Sequence, residues 1–177
     1  MYYRLQGNSA TLTSYVEAIN RTEDSLVLGD MLDEQYEELP YIYSYHYSSG
    51  NPLPDFFEGA CIMSTKMYDV LKGCGINNIQ ALPLQFVDKE TQDVRDDFIV
   101  FNVMGLVSSA KLDESDQLPL GGGGYFHNLV IEPAKTNNLP IFRVAESLMD
   151  IIVSDVVAKK MEENDIQGII LTPVSAS

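Results

Sequence analysis

Histidine is the side chain most often recruited as a general base or metal ligand, and this sequence has two, His46 and His127. Neither stands in an HxH or HxxxH spacing or beside a cysteine, so both read as ordinary strand or loop residues. Gly121 to Gly124 invite comparison with a phosphate-binding loop. Such a loop needs a lysine, then a serine or threonine at the start of a helix, whereas Tyr125-Phe126-His127 follows here. Ser108-Ser109-Ala110-Lys111 has the S-x-x-K spacing of serine β-lactam enzymes but lacks their Ser-Asp-Asn element. Acidic pairs recur at Asp96/Asp97, Asp113/Glu114/Asp116 and Glu162/Glu163/Asp165. Acid–base catalysis needs two carboxyls in different environments of one pocket, which spacing alone does not supply. The loop at Asp113 lacks the glycine and the terminal glutamate of a calcium-binding EF-hand. The sequence therefore assigns no catalytic residue, no metal site and no cofactor.

What remains is a segment suited to contact. Asp30, Asp33, Glu34, Glu37 and Glu38 precede Tyr41, Tyr43, Tyr45 and Tyr47. Tyrosine offers large, rather rigid contact area with a polar tip, and neighbouring carboxylates would steer a basic target. These nine residues are the candidate partner-binding surface. The competing reading, that the alternating tyrosines cover a sheet face, has equal weight from sequence.

The elements that would position these residues follow from periodicity. Tyr2 to Leu5 reads as a strand, Thr13 to Asn20 as a short helix or extended piece, and Tyr41 to Tyr47 alternates with the period of two of a strand. Ser48 to Asp55 is a loop carrying Pro52 and Pro54. Ser64 is placed to cap a helix whose buried face is Met67, Val70 and Leu71, ended by Gly73 and Gly75. Ile79 to Val87 and Asp97 to Val107 are expected to pair as an antiparallel hairpin. Leu118 to Gly124 is expected to be a connector. Asn128 to Glu132, Leu139 to Val144 and Ile151 to Val153 read as strands, and Ser154 to Asn164 as a helix capped by Ser154. Ile169 to Thr172 is a final strand. At an offset of 90 positions Ile62–Leu84 echoes Ile152–Val174, with Ile62/Ile152, Ser64/Ser154, Ile76/Ile166, Ile79/Ile169 and Pro83/Pro173 identical. The expected fold is a single α+β domain over residues 1–177, with mixed or largely antiparallel sheet and two similar strand-helix-strand units.

Composition narrows the class. At 177 residues, 45% hydrophobic and 21% charged, the chain can fold around its own core without a staple. It carries 26 acids against 11 bases, a formal charge of −15. Such a field repels nucleic acid and anionic membranes and speeds encounter with a basic protein. Before Lys66 the only bases are Arg4 and Arg21. No secretory leader or spanning segment is legible, and Cys61 and Cys74 read as reduced thiols, so the cytoplasm is the expected location.

From about Pro54 onward the sequence resembles a family of bacterial immunity proteins encoded beside polymorphic secreted toxins, those of type VI secretion among them. The resemblance rests on the order of Pro54-Asp55-Phe56, IMSTKMYDVL, LPLQF, DDFIVFNVM, LDES, NLVIE, Ile141-Phe142-Arg143 and IIVSDVVAKKMEENDIQGIILTPV. It implies a non-enzymatic protein that binds and neutralises one cognate toxin, with the acidic charge suggesting a basic toxin such as a nuclease. In that frame Asp113, Ser115 and Arg143 have structural roles, Arg143 pairing with a carboxylate. Residues 1–53 would be the variable, partner-specific part and 54–177 the family core. The alternative from sequence is an acidic adaptor domain for a secreted effector.

Overall fold

The computed structural model describes residues 1–8, 15–20, 24–33, 35–46, 52–120 and 123–177. The N-terminal third supplies β1 (Tyr2–Gly7), β2 (Tyr15–Ala18), a single turn α1 (Gln35–Glu38) and β3 (Tyr41–His46). The middle runs β4 (Phe56–Phe57), β5 (Ile62–Ser64), α2 (Thr65–Gly73), β6 (Ile79–Leu82), β7 (Leu84–Asp88), β8 (Val94–Arg95), β9 (Phe98–Val103) and β10 (Leu106–Val107). The last part is β11 (Asp116–Leu120), β12 (Gly123–Asn128), β13 (Val130–Ile131), β14 (Ile141–Val144), β15 (Ser147–Ser154), α3 (Asp155–Glu163) and β16 (Ile169–Ala176). The protein is α+β in the broad sense, with strand far outweighing helix.

Six strands form the largest sheet, in the order β10-β14-β15-β1-β16-β13. Strand β1 lies between β15 and β16 and is antiparallel to both, with Arg4 opposite Ile152 on one side and Thr172 on the other. A four-stranded sheet has the order β4-β5-β9-β6, where β9 is antiparallel to both β5 and β6. A second four-stranded sheet, β2-β3-β7-β8, pairs β3 with β7 in parallel. Alternation along the large sheet divides its side chains between two apolar clusters. Leu5, Ile141, Ile151 and Val153 enter the main core with Phe56, Phe86 and Phe101. Phe142, Val144, Ile152 and Val174 face the other way, onto Phe126, Leu129 and Ile131.

Two expected elements change. The run Ile79 to Val87 does pair with Asp97 to Val107, but only as far as Leu82. Pro83, lacking a backbone donor, breaks the ladder, and its carbonyl accepts Tyr41 N at 2.9 Å as the chain enters the other sheet as β7. The expected connector at Leu118 to Gly124 is instead largely a hairpin: Leu118–Leu120 pair with Gly123–Tyr125, and residues 121 and 122 lie outside those described. The Thr13 to Asn20 alternatives resolve to strand at Tyr15–Ala18, residues 13 and 14 lying outside the described set.

Local chemistry explains both nine-residue helices, though not symmetrically. Ser64 Oγ accepts Met67 N at 3.0 Å and donates to Asp55 Oδ1 at 2.5 Å, so it caps α2 and anchors it. Ser154 has the extended backbone of a cap but its side chain makes no capping bond. Asp55 also accepts Gln167 N at 2.7 Å, in the turn after α3. Gly168 (φ +73°) closes that turn against Pro54, where a Cβ would come within 2.2 Å of the proline ring.

Buried charge is confined to a few contacts. Arg4 Nε meets Asp150 Oδ1 at 3.1 Å, with both side chains under a tenth exposed, and Arg4 Nη1 donates to Phe126 O at 2.9 Å. Arg143 is fully buried on the opposite face of the sheet. The carboxylate partner expected for it is not within ion-pair distance among the described residues. It donates to Leu148 O at 2.8 Å and lies 3.6 Å from Cys61 Sγ. Burial lowers its pKa and raises that of the Cys61 thiol. Glu58 accepts Gly7 N at 3.0 Å. Its carboxyl is pushed up by burial and, less, by Asp150, against the opposing Gly7 N–H, Arg4 and Arg143.

Replacing Ser64 by alanine removes a cap and a buried hydrogen bond and is expected to cost about 1–2 kcal/mol. Ser154→Ala should cost less than half as much, and urea unfolding of the two variants measures the difference. A raised folded-state pKa means that Glu58 takes up a proton on folding at pH values just above its ordinary 4.5. Its stabilising linkage is present at acidic pH and is lost as pH rises through the folded-state value. The stability of Glu58→Gln relative to the parent should therefore increase between pH 4 and pH 8, and a flat difference would contradict the burial argument.

Candidate functional site

The acidic segment after β2 is held as a shelf against the sheet β4-β5-β9-β6. Gln80 on β6 and Asn102 on β9 stand opposite each other in the ladder, and both are buried. Gln80 Oε1 accepts Leu32 N at 2.9 Å and Gln80 Nε2 donates to Leu32 O at 3.0 Å, a side chain imitating a strand partner. Asn102 Nδ2 donates to Asp30 O at 2.6 Å. One residue earlier, Gly29 adopts φ +77° and its carbonyl accepts Gly105 N at 2.7 Å. Leu32 is buried beneath the shelf, while Asp30, Met31 and Asp33 face solvent. The turn α1 follows, opened by Tyr36 N donating to Asp33 O at 2.9 Å, and Glu38 and Leu39 are exposed at its end.

The nine residues singled out in the sequence separate by type. Asp30, Asp33 and Glu38 are exposed and make no ion pair among the described residues. Glu37 belongs to α1, and Glu34 and Tyr47 lie outside the described residues. Tyr41, Tyr43 and Tyr45 are 0%, 6% and 5% exposed and belong to the main core. Tyr45 stacks obliquely on Phe86 with ring centroids 4.4 Å apart. The alternation is therefore that of a sheet whose aromatic face is turned inward, and these rings offer no free contact surface. The sequence carries a sign of this: Ser44 and His46 mark the more polar face of the same strand. The residues that sequence reasoning missed are Gln80 and Asn102, whose only signal is an amide inside each of two apolar strands.

The other chemical candidates are dispersed. His46 Nδ1 lies 3.1 Å from Glu90 Oε1, and His127 is exposed on β12. Ser108 Oγ donates to Glu146 while Lys111 pairs with Glu114, so the S-x-x-K residues turn to different partners. Ser115 Oγ bridges Val130 N and O, a structural contact. Among the described residues no three His, Cys, Asp or Glu side chains gather as a metal site, and no helix is long and apolar enough to cross a membrane. An open groove of about 400 Å³ on the β2-β3-β7 sheet includes Glu17 and Lys89, paired at 3.3 Å. Another of about 430 Å³ between α2 and α3 includes Lys66 and Lys160.

Residues 5–176 match the immunity protein family Imm11. The chain belongs to that family. The match begins within β1, so it takes in most of the N-terminal third that the resemblance seen in sequence had left outside the family core. A search of curated proteins gives no match.

Replacing Gln80 by leucine strips Leu32 N and O of their partners. It is expected to cost about 1–3 kcal/mol and to speed hydrogen exchange at the Leu32 amide well beyond the change in global stability.

Proposed function

We propose that this Imm11 protein neutralises a cognate toxin by binding it, with no chemistry of its own, and that Asp30, Asp33 and Glu38 lie on the face that meets the toxin. The observation that carries the reading is the shelf. Asp30 and Asp33, which make no ion pair among the described residues, stand on backbone that the buried amides of Gln80 and Asn102 hold at Asp30 and Leu32, and Glu38 is exposed at the end of the turn that follows, in a chain of net charge −15. Carboxylates left unpaired at a surface keep their full field for an incoming cation. A rigid mount lowers the ordering cost of association. The toxin that fits is basic around its contact surface, as a nuclease would be. The protein acts as one domain over 1–177 and works in the cytoplasm of the producing cell.

The same reading treats Ile62–Leu84 and Ile152–Val174 as two copies of one strand-helix-strand unit. In its support, β5 and β6 flank the antiparallel β9 as β15 and β16 flank the antiparallel β1.

Co-expression with the toxin encoded beside this gene should restore growth. The triple variant Asp30→Asn, Asp33→Asn, Glu38→Gln should associate with the purified toxin several-fold more slowly at low salt, with the gap closing as salt rises. Continued toxicity beside the parent chain refutes neutralisation, and an unchanged association rate refutes the acidic face.

A further inference from the structure

We propose that Leu28, Met31 and Leu106 form an apolar anchor that seats in a pocket on the toxin, a pocket rimmed by lysine or arginine; this rests on the neutralisation reading above. Met31 is 69% exposed, Leu28 45% and Leu106 39%. Leu106 packs on the Gly29 segment: a Cβ at Gly29 would come within 2.8 Å of Leu106 Cγ, and in sequence Leu28 adjoins that glycine while Met31 follows two residues later. The close approach is fixed by the Gly105 N to Gly29 O bond, and the following residues by the Gln80 and Asn102 amides. Apolar side chains exposed to water on a fixed backbone gain nothing for the free protein. They suit burial by another surface, as central residues of a contact patch do. Methionine adds a flexible, polarisable side chain able to fill an irregular pocket.

The charges around the anchor select its occupant. Asp30 and Asp33 flank Met31 and are exposed. A second copy of this chain would bring acid against acid, and an anionic membrane would be repelled by the same carboxylates. A protein with a cationic rim meets both the apolar centre and the acidic border, and in this family that protein is the toxin.

The test uses the full chain and the purified toxin encoded beside it, with dissociation followed on a sensor surface at physiological salt. Met31→Ser and Leu106→Ser should each dissociate at least tenfold faster than the parent, while Val156→Ser, an exposed position on α3, stays within twofold. Because Met31 is largely in solvent, its variant should keep the parental melting temperature, so a faster dissociation reports on contact. If both anchor variants dissociate within twofold of the parent while the acidic triple variant still associates slowly, the anchor is wrong and neutralisation stands. If the parent chain does not bind the toxin at all, both fall together.

Discussion

The first strand of the chain is an interior strand of its largest sheet. Strand β1 cannot pair until β15 and β16, more than 140 residues later, have been made, and those two strands have no ladder to each other without it. Long-range closure of this kind carries a loop-entropy cost that must be offset by what it buries. Here that includes Leu5 on one face and the Arg4–Asp150 pair on the other. A buried ion pair adds little net stability compared with apolar residues of the same shape. Its geometric demand is the useful part: Arg4 also donates to Phe126 O, so slipping β1 by one residue would turn the guanidinium into the main core, away from both partners. The large sheet and the hairpin over it share one register-setting residue.

The same economy of polar side chains joins the remaining parts. Asp55 accepts from Ser64 at the start of α2 and from Gln167 after α3, so one carboxylate ties the beginning of one helix to the end of the other. Gln80 and Asn102 do for the loop at Asp30–Leu32 what a neighbouring strand would do for a ladder. Each device satisfies buried backbone groups that would otherwise lose their partners to desolvation. Each also holds an irregular segment in one conformation without lengthening a strand. Loop surfaces become specific in this way while the strands beneath them keep their ordinary alternation.

What the sequence discloses divides along the same line. Helix α2 is legible because its determinants are local: Ser64 at the cap, Met67 and Leu71 one turn apart on the buried side, glycines at the end. The strand character of Tyr41–His46 is equally local, since it needs only the alternation. Which face of that strand is wet depends on Phe86 and other core residues distant in sequence, and so the alternation alone leaves contact surface and covered sheet face equally open, whereas Tyr41, Tyr43 and Tyr45 are packed inside. Pro83 lies inside a run whose apolar character reads as one strand, and only the assembled sheets reveal that the chain changes sheets there. Arg143 shows the limit most sharply. A carboxylate is the natural partner for a guanidinium, and the fold supplies a carbonyl and a thiol.

The acidic charge and the shelf have different physical consequences, and the difference bears on how an immunity protein can be both fast and selective. A net charge of −15 raises the encounter rate with any basic protein, the cognate toxin and its relatives alike. Discrimination must come from contacts that a wrong partner leaves unpaired or clashing. Such contacts require side chains whose positions are set before binding, because a loop that can rearrange will accommodate several surfaces. On the proposed face the setting is done by the buried amides of Gln80 and Asn102 from below, and by Gly29, where a Cβ would come within 2.8 Å of Leu106 Cγ. Changes at the exposed positions can then alter which toxin is accepted without disturbing the amides that hold the shelf, whereas changes at the amides would cost stability and selectivity together.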